Sequence, residues 1–359
     1  MAAMSMQRHS RDGERAKDAP GNSRPSRQDE PIDLSARERA WVNKTSSPYT
    51  SRCSDTCLNH FCNRALIVCN NRKFALTASE PILKLQIGYE FGYHFLQPTP
   101  CILILNVHHS RVGDLEYPDH IVVTPAAPLS GYRDGFGNWC VRIVAPAGRV
   151  RIASSAVVRD SGQPDPMASV AGQVPVEYLP DEALVYLLPS RFCESDRLLD
   201  LSWELFGRSR PGWDRVQDIC NFVHRHIAFN YEGANPTRTA CQAHQEGVGV
   251  CRDYAHLAVA FCRALNIPAR YCTGYLGDVG TEPPFPPGDF AAWFEAFLDG
   301  RWHTFDPRNN TPRVGRVLIA RGRDAADVAM VTTFGPNTLE SFRVWTDEIV
   351  AGGIVPEKS

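Results

Sequence analysis

The run Gly247-Val248-Gly249-Val250-Cys251-Arg252-Asp253-Tyr254 puts one cysteine where a glycine-bearing turn meets the start of a helix. Backbone N–H groups in a helix's first turn lack intrahelical partners and carry partial positive charge. A thiolate placed there is stabilised, so this position favours a nucleophile at Cys251. A buried, inert thiol is the other common fate of a free cysteine, and Cys262, near the end of the same helix, fits it better. Acyl transfer through a thiolate requires more than the sulfur. A histidine must hold the thiolate and protonate the leaving group, an acid must orient that histidine, and N–H donors must meet the oxyanion.

Several elements must bring such groups together. Residues 254–265 are apolar on almost every face, which predicts a buried helix ended by Asn266-Ile267-Pro268. Upstream, Ser195 or Asp196 can cap a helix running to Phe206. A second helix over residues 213–229 places Val216, Ile219, Cys220, Val223 and Ile227 at helical spacing. His224 and His226, two apart, fall on different faces of it, which disfavours a shared metal. A loop over residues 230–239 then leads to the cysteine helix. Downstream come a strand over 269–276, a loop bearing Pro283, Pro284, Pro286 and Pro287, and a hairpin of residues 290–298 and 301–306 about Asp299-Gly300. Ahead of all this, Leu83, Leu85, Ile87, Tyr89, Phe91 and Tyr93 alternate as in a half-buried strand. Further strands are expected at 101–105, 139–144 and 150–158, closing at a proline-containing stretch, 161–180. His108 and His109 read as surface or strand-end residues.

The division expected is residues 1–81 as a disordered or spurious extension, 82–180 as a β-rich domain and 190–345 as the domain carrying the chemistry. The first 45 residues are rich in Arg, Ser, Pro and Asp and cannot bury enough surface to offset chain entropy. Cys53, Cys57, Cys62 and Cys69 with His60 have irregular gaps, unlike a structural zinc site, and no metal or organic cofactor is expected. The net charge of -2 gives no case for nucleic acid or membrane partners. No apolar run reaches membrane-spanning length, and twelve scattered cysteines suit a reducing cytoplasm better than a disulfide framework.

At the hairpin the chain resembles a family. Cys251 at a helix start, Asp289-Phe290-x-Ala292-Trp293-Phe294-Glu295 and Arg301-Trp302-x-Thr304-Phe305-Asp306 are similar to the transglutaminase-like core. Tyr132-Arg133-Asp134-Gly135-Phe136-Gly137-Asn138 resembles the N-terminal region of bacterial transglutaminase-like proteins. The resemblance implies an α+β chain, a β domain followed by a papain-like core of helices on an antiparallel sheet. It also implies a Cys-His-Asp triad acting on peptide or protein amides through a thioester. Carried over, the nucleophile is Cys251 and the orienting acid Asp306, while the position of the histidine holds Ala291. Gln245, upstream of the nucleophile, would donate to the oxyanion together with the Cys251 N–H; an ordinary loop glutamine is the alternative. Gly249, Trp293 and Arg308 complete the expected cleft, Trp293 with hairpin core as its other reading. The segment 321–328 lines the site or forms a solvated loop with internal ion pairs.

Other histidines are poor replacements. In a two-residue hairpin Ala296 pairs with His303, so 291, 293, 306 and 308 share one face and His303 takes the other. His256 lies about 140° around the helix from Cys251, and His244 reaches the site only if its loop swings in. Arg308, opposite Ala291, can hold an anion but is no general acid. Three functions follow: a cysteine acyltransferase or peptidase with an unconventional helper, a pseudoenzyme that binds peptides or serves as a scaffold, or a protein in which Cys251 is merely a redox-reactive thiol.

Overall fold

The computed structural model describes residues 83–282 and 288–350, and the backbone alone of Ser5–Gln7 and Gly353–Ile354. The cysteine cluster at 53–69, nearly all of the expected N-terminal extension and four prolines of the 283–287 loop lie outside the described residues.

The strands of the first half are β1 (Ser5–Gln7), β2 (Leu83–Phe95), β3 (Thr99–Leu103), β4 (Val122–Thr124), β5 (Ser130–Arg133), β6 (Trp139–Ala145) and β7 (Gly148–Asp160). Then follow α1 (Asp181–Leu184), α2 (Leu199–Phe206), α3 (Trp213–His226), β8 (Ala228–Phe229), α4 (Ala240–Glu246), β9 (Val248–Gly249) and α5 (Cys251–Ala264). The chain closes with β10 (Ala269–Leu276), β11 (Ala291–Leu298), β12 (Arg301–Phe305), β13 (Arg316–Gly322), β14 (Val331–Thr333), β15 (Asn337–Val350) and β16 (Gly353–Ile354). The layout is α+β, with strands dominating the N-terminal region.

Strict alternation in β2 turns Leu85, Ile87, Tyr89, Phe91, Tyr93 and Phe95 into one core. Its edges are taken by β7 on one side and β15 on the other, both antiparallel. A second sheet runs β1-β14-β3-β6-β5. The last strands, β14 and β15, thus return to pair with the N-terminal ones. Nothing local in residues 331–350 announces this, because a central strand needs two partners but its side-chain pattern does not name them.

The other main sheet has the order β12-β11-β10-β13. Phe294, Ala296, Leu298 and Phe305 face α5, packing with Leu257, Val259 and Phe261. Trp293, Cys272 and Leu318 lie on the opposite face. The hairpin has the expected register, Leu298 against Arg301 and Ala296 against His303, with Asp299 and Gly300 both at positive φ, 49° and 77°.

Three local expectations need correction. The helix ending at Phe206 begins at Leu199, not at Ser195 or Asp196, because residues 195–198 form a turn tied back to Cys193 and Glu194. The next helix stops at His226, since Ala228 and Phe229 are drawn into a parallel ladder with Val248 and Gly249. The stretch before the cysteine holds α4, started by a capping box in which the Gln242 N–H donates to Thr239 and the Thr239 N–H donates to Gln242.

Candidate functional site

The start of α5 is built by its neighbours. Gly247 ends α4 in the left-handed region at φ 62°, and the β8–β9 ladder carries the chain to Val250 in extended conformation. There the Asp253 carboxylate turns back to accept the Val250 N–H at 2.9 Å and is itself met by Arg238 at 3.3 Å. A Cβ at Gly249 would lie 2.6 Å from Asp253 Cβ and 2.7 Å from a carboxylate oxygen. Gly249 therefore serves the helix start, where its missing side chain lets Asp253 close on the backbone; it is not among the residues lining the cleft. Asp253 thus serves the helix start, where it satisfies the Val250 N–H.

Cys251 opens onto a cleft of about 670 Å³, continuous with solvent, whose walls include Tyr231, Asp289, Ala291, Arg308, Asn309 and Arg313. Cys251 Sγ lies 4.0 Å from the Phe290 carbonyl oxygen. The thiol is pushed up to about 12, by burial first and then by the Asp289 carboxylate. Arg308 and the Ala292 N–H act the other way, with Asp306 adding to the rise. Desolvation, which penalises the charged form, thus works against the lowering expected from the helix N-terminus.

Ala291 is half-buried on the cleft wall, so the position that would carry an imidazole contributes only a methyl group. No histidine lines the cleft among the described residues. His303 is buried on the far face with its ring against Trp213. His256 stacks on Phe192 and accepts the Ala325 N–H at 3.1 Å. His244 stacks on His226 at 4.6 Å, and His224 turns to the Pro307 and Arg308 carbonyls, so the two histidines of α3 do separate.

Asp306 is buried and accepts from the Asn309 N–H at 3.0 Å, Asn309 Nδ2 at 2.7 Å and Arg316 Nη2 at 3.0 Å. Arg316 also forks onto Asp165 and lies over the Trp293 ring, 4.6 Å from its centroid. Asp306 borders a second cavity, with Asp165, Trp213 and Cys220, and does not line the Cys251 cleft. Trp293 is core beneath the hairpin and does not line it either. Gln245 is exposed on α4 and is not among the residues that line the cleft. Segment 321–328 forms one internal ion pair, Arg323 with Asp327 at 2.9 Å, and is tied elsewhere through Asp324, which accepts the Phe192 N–H at 2.7 Å.

Of the expected set, Cys251, Ala291 and Arg308 come together. The residues missed are Asp289, Tyr231, Asn309, Arg313 and, from β15, Trp345 and Thr346. Asp289 was within reach, because strand alternation puts it in line with Ala291. The β15 residues had no local signal. Among the described residues no group of three or more His, Cys, Asp or Glu is placed to hold a metal, and no helix is long and apolar enough to cross a membrane.

Residues 201–307 match the model of the transglutaminase-like superfamily. The chain is 27% identical over 234 residues to an uncharacterised protein of Mycobacterium bovis, covering 58% of this chain and 73% of that protein. It is 37% identical over 87 residues to one of Mycobacterium leprae, covering 23% of this chain and only 30% of that protein. A candidate cysteine protease from Cytophaga hutchinsonii is similar in structure, with a TM-score of 0.65 and 30% sequence identity over 75% of this chain and 92% of that one. Since the likeness to the Cytophaga protein extends over nearly all of it, and the matched 201–307 segment holds both Cys251 and the hairpin, the chain belongs to the transglutaminase-like superfamily.

Proposed function

We propose that this chain is a transglutaminase-like module that binds a peptide or protein segment beside Cys251 without turning it over. The observation that carries this reading is Ala291. With a methyl group at the imidazole's position and the thiol at about 12, the sulfur has no histidine beside it to share its proton or to protonate a leaving group. Loss of one member of such a triad costs orders of magnitude in rate. In this reading residues 190–345 carry most of the cleft, joined by Thr346, and residues 82–180 form the β-rich portion that β14 and β15 complete. Eight described cysteines with free thiols suit a reducing compartment, and we assign the chain to the cytoplasm, with peptides and proteins as partners.

A second reading is retained on one observation. Arg308 lines the cleft and favours the thiolate, so slow acyl transfer or peptidase activity through a Cys251 thioester is the alternative. The test is a panel of labelled peptides, followed by fluorescence anisotropy for binding and by mass spectrometry for hydrolysis or amine incorporation. Saturable binding with no product supports the binding module. Product that disappears in Cys251→Ala would establish the enzyme instead.

A further inference from the structure

Two arginines of the cleft converge on one neutral oxygen. Arg308 Nη1 and Arg313 Nη1 each donate to Asn309 Oδ1 at 3.1 Å. The amide cannot turn away, because its Nδ2 and its backbone N–H are both given to Asp306. Arg308 is fixed a second time by the Phe229 ring, 4.5 Å from its centroid. Arg313 is nine-tenths buried, donates to the Gly277 carbonyl at 2.8 Å, and leaves its Nε without a partner. Like charges held side by side in a part-buried wall repel, and an anion relieves that repulsion.

The cleft's own carboxylates are placed as follows. Asp278 lies 3.7 Å from Arg313, and Asp289 accepts its own Phe290 N–H at 2.7 Å. Among the described residues no carboxylate forms an ion pair with Arg308. A planar guanidinium with its edge unclaimed by an acid matches a carboxylate.

We infer that the cleft beside Cys251 recognises a carboxylate of the bound segment, its C-terminus or an acidic side chain, on Arg308 with Arg313 behind it. This rests on the reading of the cleft as a peptide site, and it names the class of peptide. Position matters as much as charge, because a group held on Arg308 lies beside the thiol, where a segment end or an acidic residue would stop against Ala291.

A small probe tests the carboxylate site without any peptide. Iodoacetate and iodoacetamide deliver the same methylene to sulfur with loss of iodide, and differ in carrying a carboxylate or a neutral amide. The ratio of their rates at Cys251 is measured at pH 9 on the full chain and compared with the ratio for free cysteine. We expect it to exceed the free-cysteine ratio about tenfold, the effect of one charge-assisted contact. It should fall to the free-cysteine value in Arg308→Gln and be partly kept in Arg308→Lys. A native ratio equal to that of free cysteine, or one unchanged in Arg308→Gln, overturns the inference.

Labelled peptides then identify the source. One carries a free C-terminus and no acid, one an amidated C-terminus and an internal Glu, and one has neither. Tighter binding of the first marks the terminal carboxylate, and tighter binding of the second marks the side chain. All three binding equally overturns the inference while leaving peptide binding intact. A high iodoacetate ratio with no peptide bound sinks the peptide reading and leaves the carboxylate site standing.

Discussion

Restoring a histidine at position 291 is the most direct perturbation of the Cys251 site. The native thiol stands at about 12 instead of the ordinary 9.0, chiefly through burial. At pH 8 the thiolate fraction is then about 10⁻⁴, from 10 to the power 8 − 12, where an unperturbed thiol would have about 10⁻¹. An imidazolium within hydrogen-bonding range lowers an acid by roughly one to three units. Ala291→His should therefore bring Cys251 to about 9–11 and speed its alkylation at pH 8 by about ten- to a thousandfold. The assay is the rate constant for iodoacetamide at Cys251 between pH 6 and 10, quantified on the modified peptide. Cys251→Ser is the blank against the other thiols, and Ala291→Gln controls for bulk without charge. If the native chain alkylates at pH 7 as fast as free cysteine, the desolvation argument fails. If Ala291→His leaves the profile unmoved, position 291 does not face the sulfur.

Three other outcomes follow from the surrounding structure. Arg316 joins Asp165 and Asp306 with side-chain exposures of only 7%, 16% and 4%, so Arg316→Met leaves two carboxylates without their cation. A loss of about 3–5 kcal/mol in urea unfolding is expected, and a loss below about 1 kcal/mol would mean solvent already screens the network. Gly249→Ala forces a methyl into the Asp253 carboxylate and should cost about 1–3 kcal/mol by thermal melting, whereas Gln245→Ala should change neither stability nor Cys251 alkylation. His108, expected at the surface, is fully buried with Nδ1 near Ser110, and burial followed by nearby Arg321 lowers it from 6.5 to about 3. The unfolded chain then binds this proton first, so stability attributable to His108 is present above pH 6.5 and is lost as pH falls toward 3. The advantage of the native chain over His108→Gln should shrink across that window, and an advantage independent of pH would refute the assignment.

Local order was legible where one element's own pattern decides it. The alternation in β2, the Asp299-Gly300 turn with its register, and the helix beginning at Cys251 all follow from side-chain period and backbone preference. The Thr239–Gln242 cap was also written in the chain, though the stretch reads as a loop if only apolar periodicity is followed. The absence of a histidine at 291 needed nothing beyond the sequence and the resemblance.

What tertiary structure decided is what those residues face. Cys251 has the same helix start in sequence and in space, yet the walls packed around it reverse the direction in which its thiol shifts. Asp306 is the expected acid by position, but Arg316 and Asn309 claim it on the side of a second cavity. Gln245 and Trp293 fall outside the cleft, and Trp345 and Thr346 enter it from β15, which pairs with the N-terminal strand β2. Spacing along the backbone sets which way a side chain points from its own helix or strand. Burial, charge neighbours and cleft walls come from segments that meet only when the chain closes, and a residue's chemistry is set by those.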